Sequence, residues 1–194
     1  MENFFDVVAP IYENLHFGGK KTSDKIKSIV IFEPSDKVVD LGGGTGRTAK
    51  YLANKVQKVT VVDASEGMIR QCLQRHPELS CVHAEAQNLP FANNSVNKII
   101  IVDAFHHFQN QKQVIKEIKR VLNKNGKVII EEFNPVKIFG KLIVVIEKML
   151  CLGSHFHSPT SLMNLFSMNG FKARTVSENK SIYYLIAEKL TNSL

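Results

Sequence analysis

The sequence predicts an α/β fold built on a mostly parallel sheet with helices on both faces. Three observations carry that prediction. A short apolar run, Lys37 to Leu41, ends in Gly42-Gly43-Gly44-Thr45-Gly46, which reads as a buried strand stopping at a tight turn. A second such run, Lys58 to Asp63, ends in an acid 23 positions after Asp40. Beyond it, short β-branched runs alternate with helical spacing as far as Phe133, and that alternation implies parallel pairing through right-handed crossovers.

Taken in order, residues 21–32 have helical spacing with Ile26, Ile29 and Val30 inward, and Pro34 stops them. Arg47 to Val56 is predicted as a helix with Ala49, Leu52, Ala53 and Val56 on one face. Ser65 caps a helix running to about Arg75, with Met68, Ile69 and Cys72 apolar, and Pro77 follows. Leu79 to Ala84 is a third strand. Lys98 to Asp103, almost all Ile and Val, is a fourth strand buried on both faces. Gln111 to Leu122 is a helix; Asn125-Gly126 turns into a fifth strand, Lys127 to Phe133. Ser158 or Thr160 caps a short helix to Met168, and Phe171 to Ser177 with Ile182 to Lys189 form a final hairpin turning at Glu178-Asn179-Lys180.

Composition bounds the function. At 194 residues the chain fits one domain, and 44% hydrophobic with 22% charged residues is ordinary for a globular protein. No apolar run is long enough to span a bilayer, and Met1-Glu2-Asn3-Phe4 lacks the basic start of a signal peptide, so a cytoplasmic protein is expected. Cys72, Cys81 and Cys151 are odd in number and form no Cys-x-x-Cys pair, which fits free thiols in a reducing compartment. The net charge of +7 is spread along the chain; Lys112, Lys116, Lys119 and Arg120 share helical spacing and read as a solvated face. Nucleic acid is not expected as a partner, because no aromatics interleave with the lysines.

The glycine turn and the two acids point to a nucleoside ligand. Bare backbone at Gly42, Gly43 and Gly44 permits close approach and offers amide donors. A carboxylate at a second strand tip, Asp63, suits a ribose diol. The dinucleotide fingerprint fails, since Arg47 stands where its third glycine belongs. Instead Asp40 precedes Gly42-x-Gly44-x-Gly46, and this resembles the first motif of the class I S-adenosylmethionine-dependent methyltransferases. Asp63-Ala64-Ser65-x-x-Met68 is similar to their second motif. Glu85-Ala86 within Ala84 to Phe91 is similar to the third, with Glu where Asp is usual. Asp103-Ala104-Phe105-His106-His107-Phe108 resembles the fourth, and Glu117-Ile118-x-Arg120-Val121-Leu122-x-x-x-Gly126 the approach to the fifth strand. The nearest subgroup by these words holds the ubiquinone and menaquinone C-methyltransferases.

The resemblance implies a Rossmann-like, seven-stranded, mostly parallel sheet with an antiparallel last strand. It implies S-adenosyl-L-methionine as cofactor, held by Tyr12, Asp40, Gly42, Gly43, Gly44, Asp63, Ala64, Met68, Glu85, Ala86, Asp103 and Ala104, with no metal. Phe5, Asp6, Ala9 and Tyr12 match a segment that packs as a lid over the cofactor; a docked terminal helix is the plainer alternative. The expected organisation is one domain: lid helices in residues 1–34, a cofactor core in 35–133, substrate-side helices in 134–170 and a hairpin in 171–190. His107 is the candidate proton acceptor, with His106, His155 and His157 as alternatives.

Val136 to Cys151 is apolar nearly all round. It suits a wall of an acceptor pocket, a homodimer face or an interfacial membrane helix. The expected partner is a small, largely apolar acceptor. A quinone- or lipid-type methyltransferase making peripheral contact with a membrane, and a non-catalytic S-adenosylmethionine-binding module, stand beside that reading.

Overall fold

The computed structural model describes residues 18–137, 153–177 and 181–190, with Phe5, Asp6, Ala9 and Lys141. Seven strands form one sheet: β1 (Lys37–Leu41), β2 (Lys58–Asp63), β3 (Ser80–His83), β4 (Val96–Val102), β5 (Leu122–Phe133), β6 (Phe171–Ser177) and β7 (Ile182–Lys189). Their order is β3-β2-β1-β4-β5-β7-β6. The first five pair in parallel, and β7 runs antiparallel to both β5 and β6. The helices are α1 (Gly19–Ile29), α2 (Glu66–Arg75), α3 (Gln111–Val121) and α4 (Pro159–Ser167). The order reverses between β1 and β4, so their carboxyl ends open a crevice where such sheets bind ligands.

Alternate residues of the central strands feed two cores. Val39, Leu41, Ile99, Ile101, Val128 and Ile130 pack beneath α3 and α4, and Val38, Val61, Ile100 and Ile129 pack against α1 and α2. Each fully buried Ile or Leu contributes about 1.5–3 kcal/mol. Asp40 lies on the central strand between Val61 and Ile100, which is why an acid there is buried.

Ser65 caps α2 by accepting from the Met68 amide, and Ser158, followed by Pro159, caps α4 through the Ser161 amide. Residues 47–56 depart from the predicted α-helix. They form two 3₁₀ turns, Ala49–Tyr51 and Ala53–Lys55, closed by Leu52 donating to Ala49 and Lys55 to Leu52. Thr48 and Asn54 are poor helix formers, and the segment is too short for propagation to repay nucleation. Leu52 and Ala49 are buried all the same. β5 starts five residues earlier than the spacing predicts. Its register shifts between the Val96–Leu122 and Lys98–Lys127 pairs, with Asn125 at φ 62°, so the Asn-Gly turn is a bulge inside the strand.

Cys72 and Cys81 form a disulfide where the odd cysteine count predicts free thiols. The tight turn after α2 lays β3 back along it, and a separation of 9 residues closes. Among the described residues no helix is long and apolar enough to cross a membrane. Tyr12, the 178–180 turn and the apolar 136–151 segment, apart from Val136, Lys137 and Lys141, lie outside the described residues.

Candidate active site

A cavity of about 420 Å³ opens at the carboxyl ends of β1, β2, β3 and β4. Its size is that of a site for a drug-sized ligand. Gly42, Gly44, Asp63, Ala64, Met68, Glu85, Ala86, Asp103, Ala104 and His107 all line it, together with Phe5, Leu41, Val62, Gln87 and Phe108. Strand tips distant in sequence are thus brought together as the motif order predicts.

Asp40 and Gly43 are exceptions. They face a second, small pocket behind the glycine turn, shared with Arg47 and Thr48. Neither Asp40 oxygen has a well-formed hydrogen bond. Burial pushes its pKa up to about 7, and Asp63 adds to the rise; the Arg47 charge and the nearby Ala49 amide oppose it.

The glycine turn also works differently from the expectation. The Gly42 and Gly43 amides donate to the Val62 carbonyl at 2.7 and 3.3 Å. The Gly44 amide donates to Asp63 Oδ2 at 2.9 Å. These donors are spent inside the protein, and no α-helix follows to supply an N-terminal dipole. What the turn offers is room. A Cβ at Gly42 would stand 2.7 Å from the Ala104 Cβ, and the residue sits at φ 70°.

Asp63 accepts from the Ser65 amide through Oδ1 at 2.9 Å and from Gly44 through Oδ2. Asp63 also lines the cavity, and a carboxylate can accept more than two hydrogen bonds. Burial raises its pKa, against the pull of the Ser65 and Gly44 amides. On the N-terminal side, Asp6 Oδ1 accepts from the Ser65 hydroxyl at 2.6 Å and from the Gly67 amide at 2.8 Å. Those two bonds hold its carboxyl below the usual range. They also set Phe5 against the cavity, edge-on to His107 at 5.1 Å.

Two anchors escape sequence reasoning. Arg120, read as part of a solvated face, donates to the Leu89 and Phe91 carbonyls at 2.9 and 2.7 Å and pairs with Glu117. Glu117 in turn accepts from the Leu89 amide at 2.9 Å. Together they fasten the loop that carries Glu85 to Gln87 into the cavity. The other anchor is Glu132, at the end of β5, which meets His106 Nδ1 at 2.7 Å.

Asp103 stands at the β4 tip with φ 53°, rare for a residue with a side chain. One oxygen or nitrogen each of Asp103, His106 and Glu132 falls within 4.8 Å of the others. Burial lifts the Asp103 pKa to about 7; His106 and Arg47 pull it down, and Glu132 and Glu131 push it up.

His107 lines the cavity, half-buried, whereas His155 and His157 do not. His157 is engaged by Gln111 and Ser161 at 2.7 and 3.1 Å, and burial lowers its pKa.

Residues 39–130 match the family described as a methyltransferase domain. Among curated proteins, the demethylmenaquinone methyltransferase of Thermotoga maritima is 30% identical over 138 residues, 68% of this chain and 60% of that one. The chain thus spans less than two thirds of that relative. Among solved structures, a Thermotoga maritima S-adenosylmethionine-dependent methyltransferase, described as a possible histamine N-methyltransferase, superposes with a TM-score of 0.80 over 97% of this chain and 99% of that one, at 20% identity. The geranyl diphosphate C-methyltransferase of Streptomyces coelicolor, solved with S-adenosyl-L-homocysteine, has a TM-score of 0.74 at 14% identity, over 88% and 79% of the two chains. The sequence match to the methyltransferase domain thus covers the segment that carries the glycine turn and the strand tips, and the fold is the one these methyltransferase structures share.

Proposed function

We propose that this chain transfers the methyl group of S-adenosylmethionine to a small, largely apolar acceptor of the quinol type. The carrying observation is the cavity itself. The Asp63 carboxylate stands at its wall, Gly42 and Gly44 leave the backbone bare, and most of the remaining lining is apolar. The demethylmenaquinone methyltransferase relative supports a quinol acceptor.

In this reading Asp63 takes the ribose hydroxyls, and Glu85 with the Ala86 amide faces the adenine edge. Ala64, Met68 and Ala104 form the apolar wall. Asp103 stands beside the region proposed for the sulfonium, whose positive charge would favour its ionised form. Asp40 braces the glycine turn from behind rather than touching the ligand, and Gly43 goes with it. The cofactor, when bound, supplies an electrophilic methyl on a sulfonium that leaves as a neutral thioether. The protein's share is alignment and exclusion of water, with a base needed only when the acceptor loses a proton. His107 is that base: it alone among the candidate histidines lines the cavity.

The test uses labelled methyl donor with demethylmenaquinol and a panel of apolar phenols. Label in the quinol supports the reading. Micromolar S-adenosylhomocysteine binding without transfer to any member would mark a binding module and overturn it.

A further inference from the structure

Residues 153–158 cross the tip of β4 as a strap. The His155 amide donates to the His106 carbonyl at 2.7 Å, and the Gln111 side-chain amide donates to the His155 carbonyl at 3.1 Å. The Phe156 ring stacks on His106, 4.3 Å between centroids and 13° from parallel. The strap is thus fastened on the C-terminal side of Ser154 by bonds that do not involve it. This places Ser154 Oγ 3.1 Å from His107 Nδ1, with Ser154 half-buried.

A neutral imidazole carries its proton on one nitrogen and its lone pair on the other, and the bond made by one nitrogen decides the state of the other. A serine hydroxyl can play either part. A hydroxyl that accepts from Nδ1–H leaves the lone pair on Nε2. After Nε2 takes a proton both ring nitrogens are donors, and the same hydroxyl goes on accepting without turning. A hydroxyl that donates to Nδ1 would leave Nε2 already protonated and unable to take another proton.

We propose that Ser154 is a positioning residue: its hydroxyl accepts from His107 Nδ1–H and holds the ring in the tautomer whose Nε2 can receive the acceptor's proton. This rests on the assignment of His107 as base. In the step it serves, the acceptor O–H bond breaks and its proton goes to Nε2. The freed electron pair moves through the ring to the acceptor carbon, which bonds the methyl carbon. The carbon–sulfur bond breaks with its pair left on sulfur.

The experiment is a long-range ¹H–¹⁵N correlation spectrum of the imidazole rings at a pH where His107 is neutral, with His107→Gln to assign the signals. The wild type should show Nδ1 protonated and Nε2 bare. Ser154→Ala should move the population toward Nε2–H, and Ser154→Thr should restore it. S-adenosylhomocysteine affinity should stay within about threefold in each variant, a change of under 1 kcal/mol. A wild-type proton on Nε2, or a tautomer indifferent to Ser154→Ala, overturns the proposal, and the wild-type spectrum decides even if the Ala variant does not fold. Failure of the methyltransferase reading shows separately, as absence of S-adenosylhomocysteine binding in the wild type.

Discussion

Glu132 holds His106 by both of its oxygens: Oε2 lies 2.7 Å from Nδ1, and Oε1 accepts from the His106 amide at 3.2 Å. Both residues are almost fully buried, so the end of β5 fixes the turn that follows β4. Glu132→Ala leaves an imidazole and an amide without their acceptor. The expected loss is about 3–5 kcal/mol, the scale for breaking a buried pair from one side. Glu132→Gln keeps the shape and one acceptor oxygen, and should lose about 1–2 kcal/mol. Urea denaturation measures both; an Ala variant within 1 kcal/mol of the parent would mean that the turn is held elsewhere.

Gly42 and Gly44 both have positive φ, at 70° and 55°, but they differ in what a methyl would meet. At Gly42 it would collide with the Ala104 Cβ at 2.7 Å, while at Gly44 the nearest atom is Met68 Sδ at 3.7 Å. Gly44→Ala should therefore show only the conformational penalty, about 1 kcal/mol, and Gly42→Ala about 2–3 kcal/mol, because backbone or the Ala104 segment must shift. Thermal denaturation of the pair tests the order. Equal losses would contradict it.

Asp63→Ala should weaken S-adenosylhomocysteine by roughly 30- to 1,000-fold, or about 2–4 kcal/mol, from lost charge-assisted bonds to the ribose. The same change strips an acceptor from the Gly44 and Ser65 amides, so about 1–3 kcal/mol of stability should go with it. Asp63→Asn keeps an acceptor oxygen and should lose less of both. Calorimetric affinity within threefold of the parent for the Ala variant would place the ribose on another group.

The strands were legible because their apolar runs end in chemistry that only a strand tip makes useful, as at Asp63 and Asp103. Cavity lining followed, since in a parallel sheet all such tips share one edge. Over residues 47–56 period alone does not separate an α-helix from two 3₁₀ turns, because Ala49, Leu52 and Val56 face inward in both. The Gly42 and Gly43 amides looked open because their acceptor, the Val62 carbonyl, is a tertiary neighbour. Arg120 has the spacing of a solvated face, and only the packing of the 85–91 loop reveals its bonds. Ser154 carries no motif at all; the strap that brings it to His107 is held by His106 and Gln111, far from Ser154 in sequence.

Asp40 offers a pH test with a definite sign. Its pKa is raised from 3.8 to about 7 by burial in the central strand. The folded state thus binds its proton more tightly than the unfolded chain does, and this group favours folding at acid pH. That contribution is complete below about pH 4 and is lost as pH climbs through 7, where an unpaired carboxylate must be held in the core. Asp6 and Glu117, whose pKa values are lowered, act with the opposite slope, so the whole-protein curve mixes the two. The difference between the parent and Asp40→Asn isolates the Asp40 share. Relative to its standing at pH 4, Asp40→Asn should gain about 1–3 kcal/mol on the parent by pH 8, the cost of a buried polar group left without a partner. Chemical denaturation at the two pH values measures it. A difference that stays flat, or that falls with pH, would show that the Asp40 carboxylate is stabilised as an anion, with Arg47 its counter-charge.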